Sequence, residues 1–271
     1  LDVGLAFIRW LTGAENLHYG LWTGLEVTAG NLKAAQEGYT AKLFGYLPEG
    51  RLRVLDIGGG AGETAKKLIA LGHQVEIVVP SAFLAARCRV NAPGAVVHEC
   101  MLEDYAGQGP FDICLFSESF QYIPMQESLP KCARLLAPGG QVLIADCFRT
   151  DAYKGRQAEG PQPGGGHPIA AFREAIARSA FDIAAEEDIT DAVAPSIDLE
   201  QRLFNVLVRQ LELEWFRFAA DAGLHTTVYN PLAGGLLAGH HHAEQVPKGS
   251  RFDNALYRRR YWSPALFAAV E

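Results

Sequence analysis

The chain is short of the residues that staple, anchor or make a protein basic. Five cysteines occur in 271 residues, at positions 88, 100, 114, 132 and 147, with no Cys-x-x-Cys pair. Disulfide frameworks and zinc ribbons both need paired spacings, so neither is expected, and a reducing, cytoplasmic compartment is. Cys114 and Cys147 sit in apolar runs, where a thiol behaves as a small hydrophobe. Basic charge is also short: 24 Lys and Arg against 31 Asp and Glu leave a net charge of −7. A face that grips phosphates needs the opposite balance, which excludes a nucleic-acid partner. No apolar run approaches the roughly 18 residues of a membrane span. The apolar stretch in residues 1–10 is too short for a span and has no basic leader, so it reads as neither membrane helix nor signal peptide.

What is present is apolar material in quantity. Hydrophobic residues make up 49% of the chain, in runs separated by Gly and Pro, which is enough for a sizeable core. The length suits one large α/β domain with an appendage, or two small domains. Three zones are expected. Residues 1–50 read as a helical N-terminal cap, broken at Thr12-Gly13 and across residues 28–31. From 51 to 222, β-type runs at 53–57, 75–79, 95–99, 112–116, 142–146 and 181–186 alternate with helical periodicity, as at 63–71, 82–90 and 127–136. That alternation predicts βαβ units, a mostly parallel sheet and helices on both faces. Within this zone a Gly/Pro-rich stretch at 155–168 is either a lid or a surface loop. Leu203, Val206, Leu207, Leu211, Trp215 and Phe218 recur at helical spacing and predict a long helix beyond residue 198. Residues 223–271 change character, to a short β-like run and a loop-rich basic tail. There is no internal repeat.

The densest chemical signal is the run from Val54 to Ala65, in which an apolar strand enters Asp56-Ile57-Gly58-Gly59-Gly60-Ala61-Gly62 and a helix follows at once. Glycines permit a tight strand-to-helix turn and let a ligand touch the main chain, while the helix start offers N–H groups to an anion. A dinucleotide fingerprint would need Gly at position 63, which is Glu. An acid followed by Gly at every second position resembles instead motif I of class I S-adenosylmethionine (SAM)-dependent methyltransferases. Two later stretches are similar to the same family in order and separation. Residues 109–123 resemble its "FDxVxxxxxxxxI" fourth-strand motif, and Leu135-Leu136-Ala137-Pro138-Gly139-Gly140 with the strand after it resembles its "LLxPGGxLxI" segment. Upstream, His18-Tyr19-Gly20-Leu21-Trp22 is similar to an "H-Y-G-x-W" segment that precedes the core in many small-molecule methyltransferases.

The resemblance covers about residues 15–195. It implies a three-layer α/β/α Rossmann-like methyltransferase fold, with helical N-terminal additions and an atypical C-terminal tail. It implies SAM as cofactor and methyl transfer to O, N or C of a small molecule. By position, the cofactor would be held by Tyr19, Trp22, Asp56, Gly58, Gly59, Gly60, Gly62, Pro80, Ser81, Leu102 and Ser117. One departure stands out. Relatives carry an acid at the end of the second strand that binds the ribose hydroxyls, and here Val79 takes its place. Three outcomes stay open: weaker binding, a ribose held by Ser81 and backbone groups, or a domain that has lost the cofactor; the rival readings are a non-catalytic SAM- or metabolite-binding protein and an interaction protein assembled through its tail.

Methyl transfer is an in-line displacement that needs alignment, exclusion of water and sometimes a base, so no universal triad is expected. Polar residues near strand ends supply the candidates Glu118, Tyr122 and His167, with Asp146 and Arg149 beside them. Glu118 is first among these, and His167 follows three glycines as a lid-borne base would. No metal site is expected, because His240, His241 and His242 are adjacent and do not converge on one ion, and Glu186, Glu187, Asp188 and Asp191 form a solvated cluster. In the tail, Tyr229-Asn230-Pro231-Leu232-Ala233-Gly234-Gly235 resembles a late barrel segment of aldo-keto reductases, which contacts a nicotinamide cofactor there. About 50 residues cannot close an eight-stranded barrel, so the tail reads as a remnant that packs on the core or supports a homodimer. Partners implied are a small-molecule methyl acceptor, with neither nucleic acid nor membrane.

Overall fold

The computed structural model describes residues 12–150 and 166–202, with isolated positions 5, 8, 9, 258, 262 and 267. In chain order the elements are α1 (Leu32–Phe44), β1 (Arg53–Ile57), α2 (Glu63–Ala70), β2 (Gln74–Val78), α3 (Ala82–Asn91), β3 (Val96–His98) and β4 (Phe111–Ser117). There follow α4 (Met125–Leu135), β5 (Leu136–Ala145), β6 (Phe148–Arg149), β7 (His167–Pro168), α5 (Ile169–Ala177) and α6 (Thr190–Arg202). Strands β1 to β5 form one sheet in the order β3-β2-β1-β4-β5, and every pairing in it is parallel. Parallel neighbours cannot be joined by a hairpin, so α2, α3 and α4 serve as crossovers. Order reverses between β1 and β4, and the C-terminal strand ends on either side of that switch open a crevice.

Two-residue alternation along each strand sends side chains to opposite faces. Val54 and Ile113 join Leu43, Ala65, Leu68, Ala85 and Cys88 on the face covered by α1, α2 and α3. Leu55 and Cys114 join Phe116, Phe120, Leu129 and Cys132 on the other, covered by α4 and α5. Both clusters are buried, and each large side chain removed from water contributes roughly 1.5–3 kcal/mol. The expected three-layer α/β/α arrangement is therefore the observed one.

Two of the expected strands differ from the sequence expectation by more than two residues. Strand β5 starts at Leu136 rather than 142, because the Pro138-Gly139-Gly140 turn is absorbed as an irregularity: Phe111 pairs with Leu136, but Ile113 pairs with Gln141. The expected sixth strand at 181–186 does not form. Of that run Phe181 packs on the core while Ile183 is 46% exposed, so the alternation has no second row to bury. The preceding residues form α5 instead, and the end of the Gly/Pro-rich stretch pairs with β6 as β7. Of the helix expected beyond residue 198, residues 199–202 belong to α6, while its remainder, the rest of the Gly/Pro-rich stretch and the tail motifs lie outside the described residues. Two compact units emerge, residues 1–25 with 30–190, and 26–29 with 191–271, so the N-terminal residues through 25 group with the sheet.

Candidate cofactor and active site

Strand β1 runs through apolar Val54 and Leu55 to Asp56, which is buried, and the chain then turns through Gly58 at φ +72°. A Cβ at Gly58 would lie 2.4 Å from the Cβ of Ser119, whose hydroxyl donates to the Ile57 carbonyl at 2.5 Å. Gly62, at φ +88°, opens α2, and no side chain caps it, so the first turn of that helix is left to a ligand. Neither carboxylate oxygen of Asp56 has a hydrogen-bond partner within the protein. Burial alone pushes its pKa up to about 7. A Cβ at Gly59 would sit 2.6 Å from Asp56 Oδ2, so only glycine leaves that oxygen approachable.

Residues 15–18 lie across this turn as a strap. The Leu17 side chain comes within 3.4 Å of where a Gly60 Cβ would be. Glu15, buried, accepts from Arg87 Nε at 2.8 Å, Arg87 Nη2 at 2.6 Å and Asn91 Nδ2 at 2.7 Å, and its backbone N–H donates to Glu63 Oε1 at 3.3 Å. Desolvation pushes the Glu15 pKa up, but the Arg87 and Asn91 hydrogen bonds outweigh it and hold the carboxyl below the ordinary range. Gln36 Nε2 donates to the carbonyls of Asn16 (3.5 Å) and His18 (3.0 Å). The His18 ring stacks on Tyr39 with centroids 4.8 Å apart. Its Nδ1 faces the Tyr19 carbonyl at 2.8 Å and so carries the proton, while burial lowers the pKa to about 4 and keeps the ring neutral.

Beside the glycine turn lies the C-terminal end of β4. Glu118 sits at φ +56°, the one positive φ among the described non-glycine residues, a conformation that costs energy and recurs at functional sites. Its carboxylate accepts from the Tyr19 N–H at 2.9 Å. Tyr39 donates to the Ala145 carbonyl at 3.3 Å, and burial, followed by the Glu118 and Asp146 charges, holds its phenol far above the usual range. Asp146 accepts from the N–H groups of Gln121 (3.1 Å) and Cys147 (2.7 Å), yet burial outweighs these bonds and raises it to about 6.

Strap, glycine turn and strand ends enclose a cavity of about 460 Å³, within the range of small-molecule sites. Of the expected residues, Asp56, Gly58, Gly59, Gly60, Pro80, Ser81, Leu102, Ser117, Glu118 and Tyr122 line it. Tyr19, Trp22, Gly62 and His167 do not. From the N-terminal segment the wall takes Glu15, Asn16, Leu17 and His18 instead, while Trp22 is buried. His167 Nε2 faces the carbonyls of Phe120 (3.1 Å) and Ile123 (3.0 Å), so it is a donor that anchors the loop after β4 rather than a base in the cavity. Sequence reasoning missed Asn16 and His18 as wall residues, although His18 opens the quoted motif and Asn16 stands two residues before it. A strand-and-helix pattern carries no information on how an irregular strap lies. The wall holds Glu15, Asp56, Glu63 and Glu118 but no Lys or Arg.

A family model described as a methyltransferase domain matches residues 31–183, more than half of the chain. The chain belongs to this methyltransferase family. Among curated relatives, it is 34% identical to a ubiquinone biosynthesis O-methyltransferase of Caulobacter over 116 residues, 39% of this chain and 45% of that protein. It is also 38% identical over 77 residues, 26% of this chain, to human aldo-keto reductase family 7 member A3, of which those residues span 23%. The chain thus spans about a quarter and under half of these two relatives. In fold it resembles a cyclopropane synthase of Mycobacterium tuberculosis at TM-score 0.65, 18% identity and coverage of 80% and 84% of the two chains. The family's cofactor is SAM, and the site fits it at one end: an unpartnered carboxylate, a glycine cradle and an uncapped helix start suit the amino-acid moiety. On the ribose side the apolar substitution stands, since Val79 is 2% exposed and packed with Ile77 and Ala85. Ser81 Oγ accepts from Leu84 N–H at 3.3 Å and still has its own proton to donate toward the cavity.

Proposed function

We propose that the chain transfers a methyl group from SAM to a hydroxyl, amine or carbon of a small molecule. The observation that carries this reading is the buried, unpartnered Asp56 opening into a cavity that the strained Glu118 also lines. When bound, SAM supplies an electrophilic methyl group that needs no further activation. The protein's task is then to align an acceptor within roughly 3–3.5 Å and keep water out. Glu118, oriented by the Tyr19 N–H, takes the proton from an acceptor O–H or N–H as the bond to carbon forms. Tyr122, half in solvent at the cavity mouth, contacts the acceptor. Arg87 and Lys66 match the charges of Glu15 and Glu63, so Asp56 and Glu118, in a wall with no Lys or Arg, suit neutral or cationic acceptors and disfavour phosphorylated ones.

The same reading takes a small-molecule acceptor and no membrane partner; no described helix is long and apolar enough to cross a membrane. Cytoplasmic action and a homodimer belong to the same reading; sedimentation of the full chain reads the latter. Glu118→Gln tests the chemistry. Single-turnover methylation of an acceptor found by screening is expected to slow by about 10²–10⁴-fold, while calorimetric affinity for S-adenosylhomocysteine stays within about twofold. An unchanged rate would remove Glu118 as the base. Absence of any heat with SAM or S-adenosylhomocysteine would remove the function.

A further inference from the structure

Asn16 is 3% exposed and lines the cavity, and neither its Nδ2 nor its Oδ1 has a hydrogen-bond partner in the protein. Buried amides without partners are rare, because both the donor and the acceptor lose water and gain nothing. Packing does not account for the position, since any apolar residue of that size would avoid the penalty. The backbone around it is also fixed. Glu15 is clamped by Arg87 and Asn91, and the Asn16 carbonyl accepts from Gln36. Leu17 rests over Gly60. The amide is therefore held against the glycine turn rather than left to wander.

We propose that Asn16 is a specificity-determining residue that reads the α-amino-acid end of the cofactor, its NH2 donating to the carboxylate and its Oδ1 accepting from the ammonium. This deepens the functional reading above and rests on it. A carboxamide carries two donors and one acceptor on adjacent atoms. An α-amino acid carries an acceptor and a donor group on one carbon, which is the complementary pattern. Asp56, across the turn and equally unpartnered, adds a second acceptor for the ammonium. The thioether offers no such pairing, and adenine and ribose, which can pair with a carboxamide, are common to both ligands of the test below, so a selective loss assigns Asn16 to the amino-acid end.

The test titrates the full chain calorimetrically with S-adenosylhomocysteine and with 5′-methylthioadenosine, which keeps adenosine and thioether but lacks the amino-acid end. Asn16→Ala is expected to weaken S-adenosylhomocysteine by about 10- to 100-fold and to leave 5′-methylthioadenosine within about twofold. The melting temperature of the unliganded variant stays level or rises, since an unpaired amide is gone. Equal losses for both ligands, or no loss for either, overturn the proposal and make Asn16 a packing residue. Should the alanine variant fail to fold, Asn16→Asp keeps the shape, removes the donors and repels the carboxylate, with the same selective loss expected. A wild-type chain that binds neither ligand fails the functional reading itself, which is a different result from a wild-type chain that binds both and a variant that does not discriminate.

Discussion

Asp56 illustrates how one buried carboxyl couples stability to pH at this turn. It titrates near 7 in the folded protein against an ordinary 3.8, and burial is the cause. The folded state therefore holds the proton more tightly than the unfolded one. Its contribution to stability is complete below about pH 4 and is lost as pH climbs toward 7, above which the loss levels off. His18 runs the other way: burial lowers it to about 4, so its contribution is complete above about 6.5 and is lost as pH falls toward 4. Comparing Asp56→Asn with wild type isolates the first effect, because His18 is common to both. The variant should melt several degrees higher at pH 8 and close to wild type at pH 4, since three pKa units at about 1.4 kcal/mol each are a large share of a domain's stability. A difference that does not change across that range would mean Asp56 finds partners in solution. The same carboxyl gives binding its pH dependence, for a ligand ammonium prefers it charged and affinity should weaken below about pH 7.

Among the elements, the strap at 15–18 depends on a clasp made with α3. Arg87 and Asn91 both reach Glu15, whose side chain is nearly inaccessible, while the Arg87 side chain is 24% exposed. Breaking a buried pair from one side typically costs about 3–5 kcal/mol, and the partial exposure of Arg87 places this case at or below the lower figure. Because α3 and the strap do not share a strand register, the cost falls locally. Arg87→Ala should speed hydrogen exchange of the amides at 15–18 well before it affects β1 or β4, and should quicken S-adenosylhomocysteine release by about tenfold. Uniform acceleration over the sheet would show instead that the clasp supports the whole unit. The contrast between strap and sheet also explains what the sequence made legible. Strand β1 falls at the expected residues, and α2 and α3 end within one residue of expectation, because apolar period and capping are local properties: Ser81 caps α3 as its chemistry allows. Asp56, Gly58, Gly59, Gly60 and Ser117, which line the cavity, were named by motif position, and Glu118 by its place near a strand end. Residues 15–18 have no period, and their place is set by Arg87, Asn91 and Gln36 far along the chain, so a motif match put Tyr19 and Trp22 in the wall where Asn16 and His18 stand. His167 was misplaced for a similar reason, since its role depends on two carbonyls more than forty residues away.

For the molecule as a whole, the two likenesses it carries make opposite demands on cofactor. The methyltransferase match spans residues 31–183 and includes the five-stranded sheet of the described residues with its glycine turn. The aldo-keto reductase match covers 77 residues and 23% of that enzyme. A barrel of eight strands places its active site at one end, built from loops after several different strands, so a quarter of it cannot assemble the site. A parallel sheet with a switch between β1 and β4 is complete in this respect, because its crevice needs only the strand ends that are present. The full chain should therefore gain thermal stability from S-adenosylhomocysteine, by RT ln(1 + [L]/Kd), or about 2.7 kcal/mol at one hundred times Kd. NADPH at the same concentration should give no shift, and no consumption of NADPH should follow when an aldehyde is added. A shift with NADPH that persists in Asp56→Asn and Asn16→Ala would place a nicotinamide site away from the glycine turn. The reductase-like segment would then be a second binding module in its own right.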